Sequence, residues 1–195
     1  MKQDIIIAGV GGQGILSIAF VLVNSAMLKG LNSKQSEVHG MSQRGGPVFA
    51  YVRISDETIY SDLIPTGEAD MIIGLEAMES LRYAQFLKKG GNLIVDHHYI
   101  LVNGYDKTTI DAAIEQYPRH IWVNARQIAH EVGNPLTANM VMMGASSPLL
   151  SIEETLLKDS IRTLFARKSE DIITMNLAAF DRGAELGKRF MDKAK

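Results

Sequence analysis

Short runs of apolar residues alternate along the chain with longer segments in which apolar side chains recur at helical spacing. The short runs are rich in isoleucine and valine and are continuously apolar, which is typical of strands buried on both faces of a sheet. We therefore predict five strands, at residues 4–8, 48–54, 71–75, 92–95 and 121–123. Strands that alternate with helices favour a parallel sheet covered by helices.

Six segments have a helical pattern, at residues 13–29, 78–88, 126–131, 135–143, 152–167 and 171–193. Asn134 before Pro135 suits a helix start, because proline lacks the backbone donor that would be unpaired there. Ser151 and Glu154 have the spacing of a capping box. The whole pattern predicts an α/β fold in a single domain over residues 1–195. We expect a Rossmann-like open, mainly parallel sheet with helices on both faces and C-terminal helices.

The composition is that of an ordinary globular protein, with 46% hydrophobic and 22% charged residues among 195. Lys and Arg number 20 against 22 Asp and Glu, without a block of like charge, so no nucleic-acid partner is expected. The most apolar segment, Ile15–Leu28, is shorter than a membrane span and includes Asn24. Since no secretory cleavage site follows the N-terminus, we expect a cytoplasmic protein with no membrane partner.

The sequence contains no cysteine. Its absence excludes disulfides, and it also excludes the thiolate ligands that iron–sulfur clusters and structural zinc sites normally use. If electrons pass through an iron–sulfur centre, that centre therefore belongs to another chain. His97 and His98 follow Asp96 at a predicted strand end, but adjacent side chains of an extended chain point to opposite faces. We therefore predict no metal site there.

Gly9, Gly11 and Gly14 have the G-x-G-x-x-G spacing of a dinucleotide fingerprint, between a predicted strand and a predicted helix. Such glycines allow a tight turn and the close approach of a pyrophosphate to the helix N-terminus. Nicotinamide-binding domains usually add an acidic residue about 20 positions further on. Here no Asp or Glu lies between Gly14 and Glu37. The loop is therefore either a phosphate site or a tight turn without a bound dinucleotide.

The helix predicted after this loop is apolar on every side across its first two turns, from Ile15 to Val23. A helix that is apolar all round is buried on all sides. Two interpretations fit this pattern. The helix is buried between the sheet and the C-terminal helices, or part of it meets another subunit.

A second glycine-rich segment, EVHGMSQRGGPVF at residues 37–49, runs directly into a predicted strand. In one interpretation it is a plain connection whose Arg44 is solvated. In the other, its glycines hold a loop at the carboxyl edge of the sheet, where ligands of open α/β sheets usually bind. There His39, Ser42, Gln43 and Arg44 are able to donate hydrogen bonds to an anionic or carbonyl group.

The motif GVGGQG at residues 9–14, followed by EVHGMSQRGG at residues 37–46, resembles the gamma-type domain of the 2-oxoacid:ferredoxin oxidoreductases. The form HGMSQRGG is most similar to the beta subunits of the indolepyruvate-oxidising branch of that family. Further matches are ADMIIGLEAMESLR from residue 69, IVD from residue 94, NMVMMGA from residue 139 and NLAAFDRG from residue 176. The resemblance therefore covers nearly the whole chain.

The resemblance implies a subunit of an enzyme that converts indolepyruvate, another arylpyruvate or a related 2-oxo acid, coenzyme A and oxidised ferredoxin into an acyl-CoA, carbon dioxide and reduced ferredoxin. It implies no resident cofactor on this chain. Thiamine diphosphate, Mg and [4Fe-4S] clusters are expected on a large partner subunit, and ferredoxin is expected to bind through that complex. We accordingly expect an oligomer and an inactive isolated chain.

Site residues follow from the resemblance by motif alone. The candidate cofactor-binding residues are Gly9, Gly11, Gly12, Gln13 and Gly14. The candidate substrate or interface loop consists of His39, Gly40, Ser42, Gln43, Arg44 and Gly45. No catalytic residue is assigned, and a contact with coenzyme A is one expected role of these positions. The alternative is a stand-alone Rossmann-type dinucleotide- or coenzyme-A-binding module, or an NAD(P)-dependent oxidoreductase.

Overall fold

The computed structural model describes residues 1–39, 46–101, 104 and 106–193. The strands in this part of the chain are β1 (Lys2–Val10), β2 (Asn32–His39), β3 (Pro47–Ser55), β4 (Ala69–Gly74), β5 (Leu87–Asp96) and β6 (His120–Val123). The α-helices are α1 (Ile15–Leu28), α2 (Ala77–Arg82), α3 (Lys107–Glu115), α4 (Ala125–Glu131), α5 (Ala138–Ser146), α6 (Glu154–Leu164) and α7 (Glu170–Lys193). Short 3-10 helices cover Ala84–Phe86, Pro135–Thr137 and Ser147–Leu149.

The strands form one open sheet in the order β2-β3-β1-β4-β5-β6. β1, β4, β5 and β6 are parallel neighbours, whereas β3 runs antiparallel to both β1 and β2. The predicted mainly parallel sheet is therefore confirmed, with a β2–β3 hairpin added beside β1. The chain leaves β1 towards this hairpin on one side and returns to β4 on the other side. This change of direction marks the position where open α/β sheets bind ligands, at the carboxyl end of β1.

Helices cover both faces of the sheet, as predicted. Successive residues of β1 explain why its apolar run is continuous: Ile5 and Ile7 face one core and Ile6 faces the other, and all three are fully buried. The larger core lies under α1 and α4–α7. The smaller core lies under α2 and α3.

α5 and α7 cross with their backbones almost in contact. A Cβ on Gly144 would lie 2.8 Å from the carbonyl carbon of Phe180 and 2.9 Å from the amide nitrogen of Ala184. A Cβ on Gly183 would lie 2.9 Å from the carbonyl carbon of Val141 and closer still to its oxygen. The glycines of the segments NMVMMGA and NLAAFDRG are therefore explained by this crossing.

Two elements, β2 and α3, are not predicted by the hydrophobic pattern. β2 is an edge strand paired with β3 along its whole length, and its mostly exposed, polar side chains form no apolar run. α3 has two buried apolar residues, Ile110 and Ile114, so its helical pattern is weak. Its start is set by Asp106, whose side chain accepts the Thr109 N–H at 2.9 Å.

Two predicted boundaries are wrong. The helix expected over residues 78–88 ends at Arg82, because a 3-10 turn follows and Leu87 already pairs with Ala69 as part of β5. The capping box at Ser151 does not form: Glu153 takes the N-cap position of α6 without a side-chain cap. The start predicted at Asn134 is confirmed, since its Oδ1 accepts the Leu136 N–H at 3.0 Å.

Candidate functional site

The glycine loop occupies the turn between the end of β1 and the start of α1. Gly12 and Gly14 have φ values of 95° and 82°, in the left-handed region that favours glycine. Gln13 folds back over the loop, and its Oε1 accepts the Val10 N–H at 2.8 Å. The sequence-predicted residues Gly9, Gly11, Gly12, Gln13 and Gly14 therefore lie together at the carboxyl edge of the sheet.

Protein contacts already occupy part of this loop. The Gly11 N–H donates to the carbonyl of Gly46 at 3.0 Å, and the Gln13 N–H donates to the carbonyl of Val10 at 3.2 Å. Together with the Val10 N–H held by Gln13, three loop amides are taken up internally. Fewer donors remain for a pyrophosphate than an open dinucleotide loop would offer.

The position of Glu37 argues against nicotinamide binding. Glu37 lies on β2, where it pairs with Ala50 of β3, so that β3 separates it from β1. Two strand spacings place it about 10 Å to the side of β1. In a nicotinamide domain the ribose-binding acid follows the strand next to β1. Here the neighbours of β1 are the antiparallel β3 and the parallel β4, and Glu37 belongs to neither strand.

A cleft of about 300 Å³ opens beside the loop, between the carboxyl ends of the central strands and the starts of α4 and α5. Its cationic side chain is Arg126, and Asp96 lies in its wall. Asn139 and Gln13 add amide groups. Its other lining residues are Gly12, Leu75, Pro135, Leu136, Ala138 and Met142. Among the described residues, the cleft therefore combines an apolar wall with one cation and several hydrogen-bonding groups.

Asp96 ends β5 and is 4% exposed. Its Oδ1 accepts the N–H of Ala125, the first residue of α4, at 3.0 Å. Burial raises the pKa of the Asp96 carboxyl to about 6, although the Ala125 hydrogen bond and the Arg126 charge offset part of the rise. This carboxyl therefore stays protonated to a higher pH than an exposed aspartate.

Further ionisable groups surround the same end of the sheet. Burial, together with the Arg126 charge, lowers the pKa of His98. The buried Glu76 accepts the Glu79 N–H at 2.8 Å and the Ile100 N–H at 2.9 Å. Glu76 thus ties the start of α2 to the segment that follows β5.

The second motif reaches the same edge from β2. His39 is the last residue of β2 and pairs with Val48. Gly46, at the other end of the motif, accepts the hydrogen bond from Gly11, so the motif re-enters the sheet beside the glycine loop. The remaining predicted positions lie outside the described residues: Gly40, Ser42, Gln43, Arg44 and Gly45.

Within the described ranges, no group of three or more His, Asp or Glu side chains is arranged to hold a metal ion. His97 Nδ1 instead lies 3.1 Å from Asn124 Oδ1. Among the described residues, no helix is both long enough and apolar enough to cross a membrane.

α1 exposes one apolar face. Leu16, Phe20 and Met27 are 41%, 37% and 65% exposed and follow one another at helical spacing. On the opposite side, Ile18 and Leu22 are fully buried. The interpretation that α1 is buried on all sides within this chain is therefore wrong. The apolar face begins at the glycine loop, because Leu16 also lines a groove with Gly12 and Gly14.

The sequence-predicted set lacks the three cleft residues with charged or amide side chains other than Gln13: Asp96, Arg126 and Asn139. Asp96 at a strand end and Asn139 in the segment NMVMMGA carried a weak signal. Arg126 carried no such signal in the sequence, since it lies 30 positions after Asp96. Their meeting depends on how α4 and α5 pack, and no local pattern encodes that packing.

Comparison with known proteins identifies the family of this chain. Residues 4–186 match the family model "Pyruvate ferredoxin/flavodoxin oxidoreductase". Indolepyruvate oxidoreductase subunit IorB of Pyrococcus horikoshii is 34% identical, over 98% of this chain and 100% of the relative. Ketoisovalerate oxidoreductase subunit VorA of Methanothermobacter marburgensis is 30% identical, over 95% of this chain but 37% of VorA.

The fold recurs in a solved 2-oxoglutarate:ferredoxin oxidoreductase from Magnetococcus marinus, which has 2-oxoglutarate, coenzyme A and succinyl-CoA bound. The superposition has a TM-score of 0.78 at 24% identity, over 96% of this chain and 31% of that chain. The family match covers nearly all of β1 to α7. The chain belongs to the pyruvate ferredoxin/flavodoxin oxidoreductase family.

Proposed function

We propose that this chain is the small subunit of a ferredoxin-dependent oxidoreductase that acts on indolepyruvate or a related aryl 2-oxo acid. The observation that carries the proposal is the end-to-end match with an indolepyruvate oxidoreductase subunit, over 98% of this chain and 100% of the relative. In the reaction, the bond between the carboxyl and oxo carbons of the acid breaks and carbon dioxide leaves. The acyl group passes to the thiol of coenzyme A, and two electrons pass to ferredoxin.

The electron-carrying groups are assigned to a partner subunit. The 195 residues include no cysteine, and iron–sulfur clusters normally need cysteine thiolates. We assign the [4Fe-4S] clusters to the large subunit for this reason, and we place thiamine diphosphate and Mg there as well, with ferredoxin binding through the assembled complex. The single domain of residues 1–195 contributes a wall of the active site. We place this assembly in the cytoplasm.

The partner subunit is proposed to cover the exposed apolar face of α1. In VorA the region similar to this chain makes up 37% of the length, so further chain is joined to it covalently. We propose that the large subunit supplies the corresponding part here. Leu16, Phe20 and Met27 give it an apolar surface to bury, and the 14 residues of α1 include no charged side chain.

The cleft beside the glycine loop is proposed to contact coenzyme A. Arg126 suits its phosphate groups, since guanidinium forms paired hydrogen bonds with phosphate oxygens. Leu136 is 86% exposed at the rim and offers an apolar surface to the adenine or pantetheine part. The predicted positions Gly12 and Gln13 line the same cleft.

Co-expression with the thiamine-bearing partner of the same host tests the proposal. The purified complex should reduce ferredoxin when indolepyruvate and coenzyme A are supplied, and faster than with pyruvate or 2-oxoglutarate. This chain alone should reduce no ferredoxin. Full activity of the partner without this chain would contradict the subunit role. Micromolar NADH binding by this chain in titration calorimetry would favour the nicotinamide alternative instead.

A further inference from the structure

The buried carboxyl of Asp96 contacts both the cleft and the start of α4. Burying an ionisable group is costly unless its contacts compensate for the lost hydration. Asp96 is 4% exposed, and its Oδ1 accepts the Ala125 N–H at 3.0 Å. It therefore binds the first residue of α4 from the neighbouring strand.

α4 depends on this contact because its own N-cap residue is engaged elsewhere. Asn124 directly precedes α4 and forms no side-chain cap with it. Its Oδ1 instead lies 3.1 Å from His97 Nδ1. An asparagine at this position usually accepts the amide of the second or third helical residue. In the absence of that cap, the side-chain acceptor that the start of α4 does have is Asp96, which binds the amide of the first residue.

The residue that follows Ala125 is Arg126, whose side chain lines the cleft together with Gly12 and Asn139. An arginine binds an anion best when its stem is fixed, because less side-chain entropy is then lost on binding. We propose that Asp96 is the positioning residue of this cleft: by holding the Ala125 N–H it fixes the first turn of α4 and so places the Arg126 guanidinium to receive the phosphates of coenzyme A.

Other charged groups near Asp96 influence whether its carboxyl is protonated when a ligand binds. Arg126 faces it from α4, His97 and His98 follow it on the chain, and the charges of Asp96 and Glu76 both help to raise the pKa of Tyr99. A phosphate on Arg126 would repel an ionised Asp96, and protonation would relieve this repulsion. Ligand binding is therefore expected to be accompanied by proton uptake near pH 6, where Asp96 titrates.

The contact with α4 is testable without any ligand, in the full-length chain. The amide resonance of Ala125 should shift with pH around a midpoint of about 6, because its acceptor changes charge there. In Asp96→Asn this titration should disappear while the rest of the spectrum stays folded. An Ala125 amide that does not titrate in the wild-type chain would overturn the inference.

Action through Arg126 is testable in the assembled enzyme, and it rests on the coenzyme A site proposed above. Asp96→Ala and Arg126→Gln should each raise the KM for coenzyme A about tenfold, the effect of one lost charge-assisted hydrogen bond. The double variant should resemble Arg126→Gln, because Asp96 acts through that residue. Asp96→Asn keeps an acceptor oxygen and should keep the KM.

The two possible failures are distinguishable. If Arg126→Gln leaves the KM unchanged, the coenzyme A site is misplaced, even where the Ala125 amide titrates as expected. If Arg126→Gln raises the KM but Asp96→Ala does not, or if the two effects add, the positioning role of Asp96 is wrong and the coenzyme A site stands. Asp96→Ser replaces Asp96→Ala if the alanine variant does not assemble, since its hydroxyl is too short to reach Ala125.

Discussion

Asn139 of α5 packs directly against Gly14 at the start of α1. A Cβ on Gly14 would lie 2.9 Å from Asn139 Cγ, and Asn139 Nδ2 lies 3.4 Å from the Gly14 carbonyl oxygen. Gly14 also has a φ of 82°. The third glycine of the fingerprint is therefore required by two features of the protein itself, the backbone turn and the neighbouring asparagine.

Gly14→Ala is expected to lower the free energy of unfolding by about 2–4 kcal/mol, because both the left-handed backbone and the Asn139 contact are disturbed. Gly12→Ala is the matched control. Its φ is 95°, but a Cβ there meets no atom within 4 Å, so the backbone cost alone, about 1–2 kcal/mol, should remain. Urea unfolding measures both. An Asn139→Ala background should remove the excess cost of Gly14→Ala, and an undiminished cost there would contradict this explanation.

The α5–α7 crossing should tolerate no side chain at Gly183. A Cβ at this position would lie 2.9 Å from backbone atoms of Val141 and Ala145, which cannot move independently of α5. We expect Gly183→Ala to cost about 3 kcal/mol by thermal or urea unfolding. Gly67→Ala should cost about 1–2 kcal/mol, since Gly67 has a φ of 78° but open space around it. Equal costs at the two positions would show that the helices can separate.

The buried ion pair of Asp4 and Arg53 should stabilise the end of the sheet opposite the cleft. Arg53 Nε lies 2.8 Å from Asp4 Oδ1, and the Asp4 side chain is 1% exposed. The same guanidinium donates to the carbonyls of Ser61 and Leu63 at 3.0 and 2.9 Å. Arg53→Gln should therefore cost about 3–5 kcal/mol in urea unfolding, because it leaves a buried carboxylate without its main partner.

Lys2 supplies the control for that pair. Its ammonium also lies near Asp4, at 3.0 Å, but its side chain is 54% exposed. Lys2→Gln should change the unfolding free energy by less than about 1 kcal/mol. A large effect of Lys2→Gln beside a small effect of Arg53→Gln would reverse this interpretation of the pair.

Glu79 should make the protein less stable as pH rises. One of its oxygens is buried and has no hydrogen-bond partner. Burial raises the pKa of Glu79 above its usual 4.5, while Arg82 offsets part of the rise. Between 4.5 and the raised pKa, the folded chain holds a proton that the unfolded chain has released. The unfolding free energy therefore falls as pH rises through this window.

Glu79→Gln should remove this dependence, so the variant should gain stability relative to the wild type as pH rises above 4.5. Arg82→Gln should enlarge the pH dependence, because the cation that favours the ionised Glu79 carboxyl is then absent and the pKa of Glu79 rises further. Urea titrations at a series of pH values measure both variants. Parallel pH profiles for wild type and Glu79→Gln would show that this carboxyl has the same pKa in the folded and unfolded chains.

The parallel core of the fold is predictable from the sequence because its strands are buried on both faces. Ile5, Ile6 and Ile7 show this directly, as their continuous run reflects two cores rather than one. The edge strand β2 is not predictable in this way, since its mostly exposed side chains leave the choice of conformation to pairing with β3. The same limit explains the error after Arg82, where pairing of Leu87 with Ala69 overrides a helical pattern.

The glycine loop of the candidate site is predictable because local turn geometry needs glycine at Gly12 and Gly14. The charged part of the cleft is not. Asp96 and Arg126 come from different elements, and β6 lies between them in the chain. A side chain becomes part of such a site through packing, which the spacing of residue types does not record.

The exposed face of α1 should carry much of the binding energy for the partner subunit. Met27 is 65% exposed, so Met27→Asp should leave the fold of the free chain intact while placing a charge in a buried apolar contact. We expect the affinity for the partner to fall about 30-fold or more, the effect of losing a hot spot of about 2 kcal/mol. Interferometry with the immobilised partner measures this loss.

Leu63→Asp is the matched control for Met27→Asp. Leu63 is 60% exposed, close to the value for Met27, but it lies in the segment held by Arg53 at the other end of the sheet. Its substitution should leave partner affinity unchanged. Wild-type affinity in both variants would exclude the α1 face as the interface. If both variants lose affinity by the same factor, added charge anywhere weakens assembly, and the specific role of α1 is then rejected.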